Sequence, residues 1–72
     1  MNDFTRNYRV ACNFARSLLN EDYIFVLEYV DSQRQSCYIK LKHRTNGNVI
    51  KISAQRNQWS ARKNNKLIKL EQ

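Results

Sequence analysis

The run YIKLKHRTNGNVIKIS (38–53) alternates apolar with polar or basic residues on both sides of Asn46-Gly47. A period of two sends successive side chains to opposite faces of a strand. Asn-Gly between two such runs is a strong hairpin signal, because a type I′ turn needs positive φ at both central residues. Gly47 is the only glycine in a 72-residue chain without proline, so this turn is where the sequence spends its one flexible residue. A two-residue loop at Asn46-Gly47 pairs His43 with Ile50, Leu41 with Ile52 and Ile39 with Ala54 on one face. Arg44–Val49, Lys42–Lys51, Lys40–Ser53 and Tyr38–Gln55 pair on the other. The first face is nearly all apolar and the second basic or polar; a slip of one residue would bury the lysines.

The same reasoning extends outward. The segments 23–30 (YIFVLEYV), 36–44 (SCYIKLKHR) and 49–55 (VIKISAQ) are rich in β-branched and aromatic residues, and all three read as strands. Across DSQRQ, the register that places Phe25, Leu27 and Tyr29 with Leu41, Ile39 and Cys37 keeps Glu28 on the polar face beside Tyr38. The alternative register turns Glu28 inward and is rejected here as burying a carboxylate. Before these strands, TRNYRVACNFARSLLN repeats Tyr8, Ala11, Cys12, Ala15, Leu18 and Leu19 at helical spacing, flanked by Val10 and Phe14. Asp3 or Thr5 suits the helix start and Asn20 its exit. Arg6, Arg9, Asn13 and Arg16 fall on the opposite, solvated side.

The fold class that follows is α+β: an N-terminal helix over a three-stranded antiparallel meander, α-β-β-β, in a single small domain, 1–72. The basic segment 57–72 is expected to be partly flexible. It reads either as a short helix over 57–63 with a fourth strand at 66–70, the preferred reading, or as one frayed helix. Asn64-Asn65 marks a break within it, and Trp59 is either a stacking ring or a core plug.

A domain this short buries only roughly 60% of the surface its unfolded chain exposes, so its margin of stability is thin. Two cysteines and one histidine supply neither a disulfide framework nor a zinc site, so no metal or other cofactor is expected. Cys12 and Cys37 read as small buried apolar groups in a reducing compartment. MNDFTRNYRV has no apolar run of the kind a signal peptide needs, and no stretch approaches the roughly 18 apolar residues of a membrane span. A cytoplasmic protein without membrane contact is the expectation, with a homodimer as one possibility.

Charge is the strongest compositional signal. Residues 1–31 carry three basic and five acidic groups, whereas residues 32–72 carry ten basic groups and one acid, Glu71. Such asymmetry points to a polyanion, with nucleic acid, DNA or RNA, as the first candidate. Tyr38, Lys40, Lys42, Arg44 and Lys51 share the expected polar sheet face or its margin, and Arg56, Arg62, Lys63, Lys66 and Lys69 extend the patch. Like charges facing each other across a ladder are destabilising, and phosphates that neutralise them reverse that penalty through counterion release. Tyr38 offers a ring for base stacking. Ile24, Val26, Val30 and Val49 point outward in the same registers. They favour the alternative of an accessory or inhibitory protein docked on an acidic surface of a larger partner, or a dimer through this face.

Catalytic signals are weak. His43 is the sole histidine and no nucleophile–base pair or carboxylate cluster accompanies it, so a non-enzymatic role is preferred over a toxin-like ribonuclease. The helix-then-meander order resembles, in topology, double-stranded-RNA-binding domains and small toxin ribonucleases. Where those toxins carry a Gly-rich, His-containing loop this chain has DSQRQS, with neither Gly nor His, and the basic second-helix start of the RNA-binding domains is matched only loosely by SARKNNK. The resemblance therefore assigns no residue roles.

Overall fold

A computed structural model describes residues 2–72. One helix, α1 (Phe4–Leu19), precedes five strands: β1 (Tyr23–Asp31), β2 (Ser36–His43), β3 (Val49–Ala54), β4 (Trp59–Lys63) and β5 (Lys66–Glu71). They form a single antiparallel sheet in the order β1-β2-β3-β4-β5. The expectation of a three-stranded meander followed by a short helix over 57–63 and a strand at 66–70, or by one frayed helix, is thus corrected: 59–63 is a strand, and with 66–71 it forms a further hairpin in a five-stranded sheet. The reason lies in β3, whose free edge would otherwise leave a row of backbone N–H and C=O groups unpaired. Residues Trp59–Lys63 satisfy that edge, and their alternation was already present: Trp59 and Ala61 are buried while Ser60 and Arg62 face the other way.

The core lies between α1 and one face of the sheet. Ala11, Ala15 and Leu18 of the helix meet Cys37, Ile39, Leu41, Ile50, Ile52, Ala54, Trp59 and Ala61. Alanines on the helix's buried stripe let it sit close to the strands. Trp59 is a core plug, 5.6 Å from Phe14 between ring centroids. Asn7, which the sequence pattern does not single out, is also buried; its Nδ2 donates to the Gln55 carbonyl at 2.9 Å, and the Asp3 N–H donates to the Arg56 carbonyl at 2.8 Å. These two bonds tie the start of α1 to the β3–β4 turn. Asp3 occupies the cap position without a side-chain cap bond; Asn2 Oδ1 instead accepts from the Phe4 N–H at 3.1 Å. Leu19, expected on the packed face, is largely exposed.

A helix is about 10 Å wide, whereas five strands at about 4.8 Å spacing span about 19 Å. One helix therefore covers the middle of the sheet and leaves both edges bare. The buried side chains of β2, β3 and β4 alternate regularly, but β1 is exposed from Ile24 to Val30 and β5 throughout.

Two registers differ from the sequence reading. The β2–β3 hairpin closes over four residues, Arg44–Gly47, with the His43 N–H bonded to the Asn48 carbonyl at 2.8 Å. Its pairs are Leu41–Ile50, Ile39–Ile52, Lys42–Val49 and Lys40–Lys51. This is a shift of two residues, so each side chain keeps its expected face while gaining a new neighbour. Only Gly47 (φ 77°) adopts the left-handed region in that loop. The two-residue turn with positive φ at both positions is instead Asn64-Asn65, at 50° and 72°. Asn64 is held there by three bonds: its N–H to the Val49 carbonyl (2.8 Å), its Oδ1 from the Val49 N–H (2.9 Å) and its Nδ2 to Asn48 Oδ1 (3.0 Å).

The second difference is a β-bulge in β1 at Val26. Phe25 pairs with Leu41 as expected, but beyond the bulge Leu27 pairs with Lys40, Glu28 with Ile39 and Tyr29 with Tyr38. An extra residue reverses the faces of everything after it. Leu27 and Tyr29 move to the outer face, and Glu28 and Val30 move to the helix side. The rejection of an inward Glu28 assumed that the inner face is dry. At the uncovered edge it is wet, and Glu28 stays exposed beside Tyr8 and Cys12.

Candidate nucleic-acid interface

The outer face of the sheet, away from α1, is built by the alternate residues of all five strands. Register places Leu27, Lys40, Lys51, Arg62 and Leu67 in one row across it. A second row, two residues along β1 to β4 and three along β5 where the register shifts, is Tyr29, Tyr38, Ser53, Ser60 and Leu70. The centre of the first row is three consecutive cations on β2, β3 and β4. Lys51 faces Lys40 on one side and Arg62 on the other, so it has like-charged neighbours across both ladders.

No carboxylate relieves that row. Glu28 and Glu71 pair with the inward residues Ile39 and Trp59, and Glu71 lies 3.5 Å from Arg6 of the helix. Asp3, Glu21 and Asp22 precede β1, outside the sheet. Asp31, at the corner, uses Oδ1 to accept the N–H groups of Gln33 (3.1 Å) and Arg34 (3.0 Å), which shapes the β1–β2 turn.

Two shallow hollows flank Lys51. One, about 290 Å³, is lined by Lys40, Val49, Lys51, Asn64 and Asn65. The other, about 230 Å³, is lined by Tyr38, Lys51, Ile52, Ser53, Ser60 and Arg62. Ser53 and Ser60 hydroxyls meet at 3.1 Å on its floor. The surface between the rows thus offers ammonium and guanidinium donors, hydroxyls, carboxamides and two adjacent phenol rings.

The structure divides the sequence-derived set. Tyr38, Lys40, Lys51 and Arg62 come together, and Lys42 lies alongside on the same face of β2. Arg44 sits in the β2–β3 loop beyond the end of the row. Arg56 lies at the opposite end of the sheet, lining a separate open hollow with Arg34. Lys63 and Lys66 pair with each other, and alternation puts them on the helix side. They do not join the outer face. The opposition expected between Lys42 and Lys51 falls instead on Lys40 and Lys51. Sequence reasoning missed Tyr29, Ser60, Asn64 and Asn65. The W-S-A-R alternation was legible and would have found Ser60, whereas Tyr29 reached this face only through the bulge.

His43 is committed to its loop: Nδ1 accepts from the backbone N–H groups of Thr45 and Asn46, both at 3.2 Å, and its ring stands edge-on to Tyr23 at 5.0 Å. Both cysteines are free thiols. Burial first, then the neighbouring Cys12 and Glu28, push the Cys37 thiol up to about 11. Tyr8 is raised chiefly by its hydrogen bond with Cys12. Among the described residues no three His, Cys, Asp or Glu side chains gather as a metal site, and no helix is long and apolar enough to cross a membrane.

No protein-family model, curated protein or solved structure matches this chain. The class is therefore defined by its own architecture: a single helix on a five-stranded antiparallel meander, with a cationic open face.

Proposed function

We propose that this protein is a non-enzymatic nucleic-acid-binding module that grips phosphates with the outer face of its sheet. The observation that carries the reading is the row Lys40–Lys51–Arg62, three cations abreast with no carboxylate among them. A cross-strand like-charge pair costs roughly 0.2–1 kcal/mol, and this row contains two. A surface held together at that cost gains when a polyanion neutralises it and releases its counterions. Tyr29 and Tyr38, directly opposite each other one row away, supply faces on which unpaired bases stack. Phosphates would run along the cation row and bases over the tyrosine row, which favours single strands.

The test is fluorescence anisotropy of labelled single- and double-stranded DNA and RNA at several salt concentrations. Trp59 is buried on the far side of the sheet, so its emission is not the reporter. Three phosphate contacts give a log–log salt slope of about −2 to −3. Lys51→Glu should weaken binding at low salt by at least about tenfold, or ~1.4 kcal/mol. Unchanged affinity in that variant removes the sheet face from the proposal.

A second reading rests on Leu27, Val49, Leu67 and Leu70, which flank the cations on the same face. An accessory protein docking on an acidic surface of a larger partner would use both sets. Binding that resists salt and fails on Leu67→Ser or Leu70→Ser rather than Lys51→Glu favours it.

A further inference from the structure

The edges of the sheet differ in how they meet solvent. β5 carries Lys66 and Lys69, charges that discourage another strand from adding to an edge. β1 has no lysine or arginine in nine residues, and Ile24, Phe25, Val26, Leu27, Tyr29 and Val30 are each 41–58% exposed. Its free edge presents unpaired backbone groups between two apolar flanks, the combination that strand addition uses. The bulge at Val26 bends the first part of β1 and leaves Leu27–Asp31 as the regular arm.

We infer that the chain forms a homodimer by antiparallel pairing of β1 with β1 of a second copy, joining two five-stranded sheets into one. Symmetry, charge and register each favour this occupant. A strand that pairs with its own copy about a two-fold axis closes the assembly, whereas pairing β1 with β5 of the next copy runs head to tail and leaves an edge open for growth. Each chain carries a net charge of +7, but its acidic half, residues 1–31, includes β1 and carries three basic against five acidic groups. Pairing there brings the least cationic sides together, while a β5–β5 contact would bring Lys66 and Lys69 against the same lysines of the second copy.

Register then follows. A two-fold perpendicular to the sheet pairs outer-face residues with outer-face residues. An axis at Glu28 would set two carboxylates directly opposite, which is unfavourable. An axis at Tyr29 pairs Tyr29 with its copy, Glu28 with the partner's Val30 and Leu27 with the partner's Asp31. The two helices lie on the same side, and the outer faces form one continuous surface with the tyrosines at its centre.

The experiment is sedimentation of the full chain without nucleic acid over a range of concentrations, with cysteine variants to fix the register. A reversible species of twice 8.7 kDa is expected. Directly opposed Cα atoms in an antiparallel pair lie about 4.5–5.5 Å apart, within disulfide range. Mild oxidation should therefore cross-link Tyr29→Cys efficiently and Glu28→Cys poorly. Leu27→Asp, which meets the partner's Asp31 twice per dimer, should weaken association at least tenfold, and Leu67→Asp on the other edge should leave it unchanged. A monomer at every concentration, open-ended polymers, preferential cross-linking through Glu28→Cys, or loss of the dimer in Leu67→Asp would each overturn the inference.

Discussion

The three central strands and the two edge strands share one sheet and obey different rules. In β2, β3 and β4 the inward side chains at 37, 39, 41, 50, 52, 54, 59 and 61 are sealed against α1, and residues such as Leu41 and Ile52 have no exposure at all. On the same side of the sheet at β1, the equally apolar Phe25 and Val30 remain 44% and 42% exposed, and Leu27 and Leu70, on the outer face of the edge strands, are each 49% exposed. The difference is one of coverage rather than hydrophobicity. A single helix is too narrow for five strands, so position in the sheet decides whether a leucine is core or surface. The comparison teaches that stability resides in the middle of this molecule, and that the apolar content of the edges is available for contact.

The largest effect that sharpens this contrast is in the core. Ile52→Ala should cost about 2–5 kcal/mol, against a total stability that is small for a domain of this size. Leu70→Ala should change stability by no more than about 0.5 kcal/mol. Paired urea titrations measure both, and a comparable loss in the two variants would break the comparison.

Next comes the strained cation row of the central strands. Lys51→Glu places a carboxylate between Lys40 and Arg62, so stability should rise by about 0.2–1 kcal/mol while oligonucleotide affinity falls. Thermal unfolding and anisotropy on the same sample test for that opposition of signs. Falls in both would show that the lysine supports the fold instead.

Turns give smaller effects. At Gly47 an added Cβ meets no neighbour within 4 Å, so Gly47→Ala should cost only the left-handed backbone penalty of about 1 kcal/mol. Asn65→Gly, at φ 72°, should stabilise by a few tenths of a kcal/mol up to about 1, since the type I′ turn favours Asn-Gly. Denaturant midpoints rank the two, and equal signs would contradict the turn assignment.

The Cys37 thiol supplies a pH dependence. Its pKa in the fold is raised to about 11 from an ordinary 9.0, so the folded state holds its proton longer than the unfolded chain. Its contribution is present below the unfolded pKa and is lost as pH rises through the folded value. Stability should decline between pH 9 and about 11 more steeply in the parent than in Cys37→Ala. The same burial should make Cys37 react with thiol reagents more slowly than Cys12.

Much of this architecture was legible in residue order. Alternation through Tyr38–Ser53 identified the faces of β2 and β3 whatever the loop length, because a two-residue shift preserves parity. The Ala11, Ala15 and Leu18 stripe of α1 was legible for the same reason, as periodicity is a property of the element itself. Asn46-Gly47 reads as the tight two-residue turn and Asn64-Asn65 only as a break, whereas the two-residue turn with positive φ is Asn64-Asn65. His43 Nδ1 accepting from Thr45 and Asn46 shapes the longer first loop, while the bonds of Asn64 to Val49 and Asn48 hold the tight second one.

What the sequence determined by itself was therefore local: one amphipathic helix, strands with an apolar and a basic side, and an excess of positive charge in residues 32–72. Tertiary structure decided three further things. It made residues 59–71 a hairpin because the edge of β3 needed backbone partners. It turned Tyr29 outward through the bulge at Val26, a packing response with no periodic signature. It also aligned Lys40, Lys51 and Arg62, since cross-strand neighbours depend on loop lengths that only the assembled sheet fixes. Parity is set residue by residue along the chain, whereas adjacency is set between chain segments, and the candidate site is made of adjacencies.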